Sequence, residues 1–215
     1  MDIPQILISL FVVLFAITIH EASHGWAAYK MGDPTAYAMG RITLNPIAHI
    51  DPIGTILLPV ILVVMGAPPF GWAKPVPVNP LNLRDPRRDN MIISAAGPLS
   101  NFCVAFIAFM GIQLLKVLNP NLFHPYGGFS GPASGIFLIL YYTVLINIIL
   151  AIFNLIPIPP LDGSGVLMGL ISEEAAEKYE QIRPYGFIIL LLLIMTGFIG
   201  KILGVIMRFV NIFIF

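Results

Sequence analysis

His20, Glu21 and His24 form the sequence His-Glu-Ala-Ser-His near the end of an apolar run that begins around Ile3. On a helix of about 3.6 residues per turn, positions 20 and 24 share one face roughly 6 Å apart, so both imidazoles can reach one Zn²⁺. Glu21 then lies beside the ion without binding it. In this arrangement a carboxylate takes a proton from a water at the metal, and the resulting hydroxide attacks a carbonyl. An isolated motif of this kind can be a solvated polar face. Here, however, the chain has four His and eleven acids, and three of those fifteen residues crowd into five positions flanked by apolar sequence. An ionisable group inside a membrane costs on the order of 3 kcal/mol unless it is paired or coordinated, so function is the expected reason for the cluster.

A catalytic zinc needs a third protein ligand and one open position. Asp162 is the outstanding acid: it follows an apolar run at 134–157 in the sequence Asn154-Leu-Ile-Pro-Ile-Pro-Pro-Leu-Asp162-Gly163. Pro157, Pro159 and Pro160 cannot continue a regular helix, so the backbone is expected to unwind there. Unwound backbone near membrane depth is tolerated where it lines a cavity or packs inside protein. The alternative is that the prolines end a helix at the interface and Asp162 caps the next segment.

The elements that must position these groups follow from composition. The chain has 215 residues, 58% hydrophobic and 10% charged, with a mean hydropathy of +0.91, which marks an integral membrane protein. The expected fold is an all-α polytopic membrane protein with about four full spans, at 4–28, 91–115, 134–157 and 186–207, plus a marginal run at 53–67. Zero net charge argues against a nucleic-acid partner. The first run has no basic n-region and no convincing cleavage site, so it is expected to stay in the mature protein. Cys103, the lone cysteine, excludes an intrachain disulfide and is read as packing. Segments 29–52 and 68–90 read as connections and 116–133 as a polar loop. Segment 172–183 reads as a surface helix whose N-terminus is marked by Ser172 and two acids.

The chain resembles the site-2 protease family of intramembrane zinc metalloproteases. The resemblance rests on His20 to His24, on Gly97-Pro98-Leu99-Ser100-Asn101, and on Asn154 to Gly163, in that order and at family-like separation. It implies one zinc per chain held by His20, His24 and Asp162, with Glu21 as general base and Asn154 steadying the substrate or the developing oxyanion. It further implies a membrane-protein substrate with a transmembrane segment, in or beside which the peptide bond is cut. Many relatives carry a PDZ or CBS domain, for which 215 residues leave no room; a single protease domain over 1–215 is expected, with a catalytic core at about 4–165 and a last span and tail at about 184–215.

Chemistry constrains topology. For one zinc to join His24 and Asp162, an even number of crossings must separate them, so the 53–67 run must enter and return, with 68–82 as the return limb of a re-entrant loop. Lys30, Arg41, Arg84, Arg87, Arg88, Lys178 and Arg183 fall on one side against Lys116 on the other, which predicts a multi-pass protein of the cell membrane whose site opens towards the cytoplasm. In the return limb, Pro75 and Pro77 silence one edge of an extended segment and leave Lys74, Val76 and Val78 to pair along the other. A short β edge element near the site, able to bind substrate by strand addition, is therefore expected, and it agrees with the resemblance. An inert proline-rich loop is the alternative.

Smaller signals complete the reading. Ala95, Ala96, Gly97 and Ser100 form a small-residue face for close approach to the His-bearing helix, with a kink at Pro98. Asn101 is expected to hydrogen-bond a neighbouring helix, and His49 and His124 to be structural or surface residues. Lys201 and Arg208 leave the last run as a short span or an interfacial tail. The competing function is a non-proteolytic metal-binding transporter or scaffold. A transporter would not need Glu21, and a dead scaffold would usually have lost a ligand or the base.

Overall fold

The computed structural model describes residues 3–65, 71–120 and 132–215. His124, within the polar loop, lies outside the described residues, as do 66–70 of the expected re-entrant segment. The architecture is all-helical: α1 (Ile3–Met31), a short α2 (Thr35–Ala38), α3 (Leu58–Val64), α4 (Pro86–Leu118), α5 (Pro132–Asn154), α6 (Asp162–Leu170), α7 (Glu173–Glu180), α8 (Gly186–Met195) and α9 (Phe198–Ile214).

Helices α1, α4 and α5 are long and apolar enough to cross a membrane, and the stretch Glu173–Met195, which holds α7 and α8, makes with α9 a fourth candidate span, bent by 64°. At about 1.5 Å per residue, the 33 residues of α4 reach roughly 50 Å, beyond the hydrocarbon thickness at both ends. Leu7, Leu10 and Phe11 on α1 and Phe106, Ile107 and Met110 on α4 are exposed, as side chains facing lipid tails must be. Cys103 is also exposed on α4, not packed inside as expected, because its position falls on the outward face of that helix.

One apolar cluster joins Ala108, Ile112 and Leu115 of α4 to Phe137 and Val144 of α5 and Ile214 of α9. The kinked pair α8 and α9 therefore ends at the far end of the bundle from the prolines. The bend falls at Gly197, whose φ of +71° ends α8.

Asp85 caps α4 by accepting from the Arg88 N–H, and Pro86 fills the first turn, where no N–H is missed. The prolines after Asn154 act as expected: α5 stops there, 155–161 runs in turns, and Asp162 opens α6. Ser172 caps α7, accepting from the Ala175 N–H.

A π-helical turn at Pro52–Leu57 leads into α3. The chain later comes back beside its own start: the Trp72 N–H donates to Gly54 O at 3.2 Å, and Thr55 Oγ1 donates to Trp72 O at 2.9 Å. The β edge element is not formed, and no strand occurs among the described residues. Residues 71–79 have no ladder partner, and two of the three donors that Pro75 and Pro77 leave, those of Lys74 and Val76, are already taken. The Lys74 N–H donates to His49 O at 3.0 Å and the Val76 N–H to Glu21 Oε2 at 3.0 Å.

The end of the bundle carrying these loops is tied by Asp33, which is fully buried. It accepts from Asn79 N–H (2.7 Å), Asn82 Nδ2 (2.8 Å), Thr35 N–H (3.1 Å) and Thr35 Oγ1 (2.5 Å), fastening the α1–α2 corner to the segment before α4. Burial opposes ionisation of this carboxyl, but the donors outweigh it and hold its pKa below the ordinary value.

Candidate metal centre

His20 and His24 leave one face of α1, and Asp162 reaches them from the first turn of α6. The ligand-capable atoms of the three lie within 4.8 Å of one another. His20 Nε2 stands 3.0 Å from Asp162 Oδ2, and His24 Nε2 stands 3.4 Å from Asp162 Oδ1. The two histidines are 5% and 9% exposed, so bulk water does not satisfy them.

The hydrogen bonds on the far side of each ring decide which nitrogen carries the proton. His24 Nδ1 is 2.7 Å from the carbonyl of Ile93, which can only accept, so Nδ1 donates and, in the neutral ring, Nε2 keeps a lone pair. For His20 the logic runs through three helices. Asn147 Nδ2 donates to Thr143 O on its own helix, which points Oδ1 of Asn147 at Asn101. Asn101 Nδ2 donates to that oxygen at 2.8 Å and to Ala16 O at 3.2 Å, which turns Asn101 Oδ1 towards His20 Nδ1 at 2.6 Å. His20 Nδ1 therefore donates, and in the neutral ring its Nε2 also keeps a lone pair.

With both rings neutral, as metal ligation requires, two imidazole lone pairs converge on the carboxylate of Asp162. The short His20–Asp162 distance resembles an ion pair, yet Asp162 Oδ2 is buried without a hydrogen-bond donor. In the neutral tautomers acceptor faces acceptor. Such a cluster takes up a cation, a proton or a metal ion, among its members. The donor set of two nitrogens and one carboxylate oxygen is one that Zn²⁺ takes, and bonds of about 2.0–2.1 Å imply ligand separations of roughly 3.3 Å. The observed 3.0 and 3.4 Å fit the group.

Close approach of the helices depends on two glycines. A Cβ at Gly97 would lie 2.6 Å from His24 Cε1 and 2.7 Å from His20 Cε1, so the small-residue face of α4 is needed where α1 presents its rings. A Cβ at Gly163 would lie 2.6 Å from Ile156 O, so only glycine lets α6 start against the turn that delivers Asp162.

The cluster opens into a cavity of about 710 Å³ also lined by Glu21, Asn154, Val76, Val78, Trp72 and Phe187. Asn154 Nδ2 donates to Leu150 O at 2.9 Å within its own helix. Lys74 is exposed beside the cavity and does not line it. His49 is 2% exposed and bonds Thr43 O through Nε2, a structural role as expected. Asn147 escaped the sequence reading although a polar residue in an apolar span was signal enough. Arg41 was read there only as a topological charge, and it is buried against the segment 74–75.

A model described as "Peptidase family M50" matches residues 8–196 of the chain. The chain is 40% identical over 193 residues to "Putative zinc metalloprotease YwhC" of Bacillus subtilis (strain 168), an alignment spanning 90% of this chain and 81% of that protein. It is 26% identical over 190 residues to "Putative zinc metalloprotease Rip2" of Mycolicibacterium smegmatis, spanning 87% of this chain and 66% of that protein. To "Zinc metalloprotease MJ0392" of Methanocaldococcus jannaschii it is 25% identical over 166 residues, which are 77% of this chain and 35% of that protein. No solved structure matches.

Proposed function

Because the chain belongs to peptidase family M50 and is a zinc metalloprotease with several membrane-spanning helices, we propose that it hydrolyses peptide bonds within or near transmembrane segments of membrane proteins. The observation that carries this reading is the convergence of two imidazole Nε2 atoms and a carboxylate in a cavity that also holds Glu21. A transporter has no use for a base at that place.

In this reading His20, His24 and Asp162 hold one zinc, which when bound polarises the scissile carbonyl and lowers the pKa of water. Glu21 takes the proton from the attacking water and later passes it to the leaving amine. Asn154, Val76 and Val78, lining the same cavity, hold the substrate chain beside the metal, with Lys74 at the exposed rim. The Val76 N–H is engaged by Glu21, so any substrate pairing along this segment uses groups other than that one. Segments 52–65 and 71–79 form a re-entrant limb that separates the site from lipid.

The basic residues support an orientation. Asn79 and Asn82 bond Asp33, and Arg87 Nε donates to Met168 O at 2.8 Å, gathering Lys30, Arg84, Arg87 and Arg88 at the end where the cavity lies, while Lys116 stands near the other end of α4. That end is proposed to face the cytoplasm of a cell membrane. Single cysteines at positions 30, 87 and 178 in a Cys103→Ser background should all be labelled by an impermeant thiol reagent from that side. Labelling of 30 and 87 from opposite sides would overturn the topology. For the activity, Glu21→Gln in purified protein is expected to keep its zinc while losing cleavage of a model single-span substrate. Retained cleavage removes Glu21 from the mechanism.

A further inference from the structure

A base on a flexible side chain acts well only if something holds it. Glu21 Oε2 accepts from the Val76 N–H at 3.0 Å, so the carboxylate is held by backbone. That N–H is the sole amide donor between Lys74 and Val78, because Pro75 and Pro77 have none. It belongs to an extended segment without a ladder partner, so its position depends on whatever ties the segment down.

Arg41 is the tie nearest to it. Its Nη2 donates to Lys74 O at 2.6 Å and to Pro75 O at 3.4 Å, the two carbonyls just before Val76. Lys74 N–H to His49 O and Asn79 N–H to Asp33 Oδ2 tie the segment further out. Arg41 is only 6% exposed and makes no ion pair among the described residues, and its Nε has no hydrogen-bond partner. Burying a guanidinium without a carboxylate is costly, and simple stability does not favour it. One guanidinium nitrogen, Nη2, donates to both adjacent carbonyls, so the grip needs a long side chain that ends in a charged donor.

We propose that Arg41 is a positioning residue for the base: by holding the carbonyls of Lys74 and Pro75 it presents the Val76 N–H to Glu21, fixing one carboxylate oxygen and leaving the other to receive the proton. The clamp stands on geometry alone, while its catalytic consequence rests on the role proposed for Glu21.

The experiment uses the full chain, zinc-loaded, in nanodiscs, and combines amide hydrogen exchange resolved to single residues with kcat, KM and zinc content on a model single-span substrate. Arg41→Ala is expected to speed exchange of the Val76 amide at least tenfold, as Glu21→Ala does. It should also lower kcat at least tenfold, with KM within twofold and zinc unchanged. Arg41→Lys, which keeps a charged donor, should recover most of both. In a Val76→Pro background, where the N–H is already gone, Arg41→Ala should cost less than a further twofold. Wild-type exchange and kcat in Arg41→Ala, or a loss fully additive with Val76→Pro, overturns the proposal. If Arg41→Ala does not fold, Arg41→Lys decides: a lysine variant that keeps zinc but exchanges Val76 as fast as Glu21→Ala does also overturns it. A wild type that protects Val76 yet cuts no membrane substrate defeats the protease reading and leaves the clamp standing.

Discussion

Asp33 and Asp162 are both enclosed carboxylates at the same end of the bundle, and their surroundings are opposite. Asp33 accepts four hydrogen bonds, from two backbone amides, an asparagine and a threonine hydroxyl. Asp162 faces two imidazole nitrogens whose protons are committed elsewhere, and its Oδ2 accepts nothing. A buried carboxylate surrounded by donors is a rivet: its charge is dispersed and it joins segments distant in sequence. A partly buried carboxylate faced by two neutral imidazoles is a socket for a cation. Asp33 is fully buried and Asp162 partly exposed, but what gives them different chemistry is the direction of each neighbouring hydrogen bond.

The contrast is broken most sharply at the socket. Asp162→Ala should lower zinc content as well as cleavage, the latter by orders of magnitude, while leaving the apo fold intact. Metal analysis and circular dichroism of the same preparation check both halves. Full zinc occupancy in that variant would show that the acceptor cluster is not the metal's seat.

One step out, Asn101→Leu removes the acceptor that holds the His20 proton on Nδ1. Zinc affinity should weaken about 10–100-fold, the usual loss when a ligand's hydrogen-bond partner is removed, with a chelator competition as the measurement. Asn147→Leu should act in the same direction and more weakly, because it reaches His20 only through Asn101. An Asn147 variant weaker in zinc than the Asn101 variant would reverse the order of that chain.

The rivet should answer differently. Asp33→Asn leaves some of its donors facing an amide nitrogen and should cost about 1–3 kcal/mol of stability with zinc affinity unchanged, read as a lower Tm. The pH dependence has a definite sign. The folded pKa of Asp33 lies below the unfolded value of about 3.9, so its contribution is complete above that value and is lost as pH falls through the lower folded pKa. The margin of the wild type over Asp33→Asn should therefore be constant at neutral pH and shrink only in strong acid. A margin that disappears near pH 6 would point to another group.

Much of the site was legible because its parts are local. The helical spacing of His20 and His24, the proline-broken segment before Asp162, and the small face at Gly97 each occupy a few consecutive residues, and each does what its pattern implies. The edge strand was misread because proline periodicity shows which amides exist and not which are free. The Lys74 and Val76 amides were spent on His49 and Glu21, 25 and 55 positions away in the chain. Arg41 was invisible for the same reason: its acceptors lie 33 and 34 residues on.

By itself the sequence determined that this protein is helical, that it lies in a membrane, and that one motif can bind metal. Those properties come from apolar run length and from residue spacing along single helices. Only the tertiary structure decided that His20 reaches Asp162, that Asn147 and Asn101 set the tautomer of His20, and that an amide two prolines could not silence holds Glu21. These depend on the direction of hydrogen bonds between segments brought together by packing, and no one-dimensional pattern records direction.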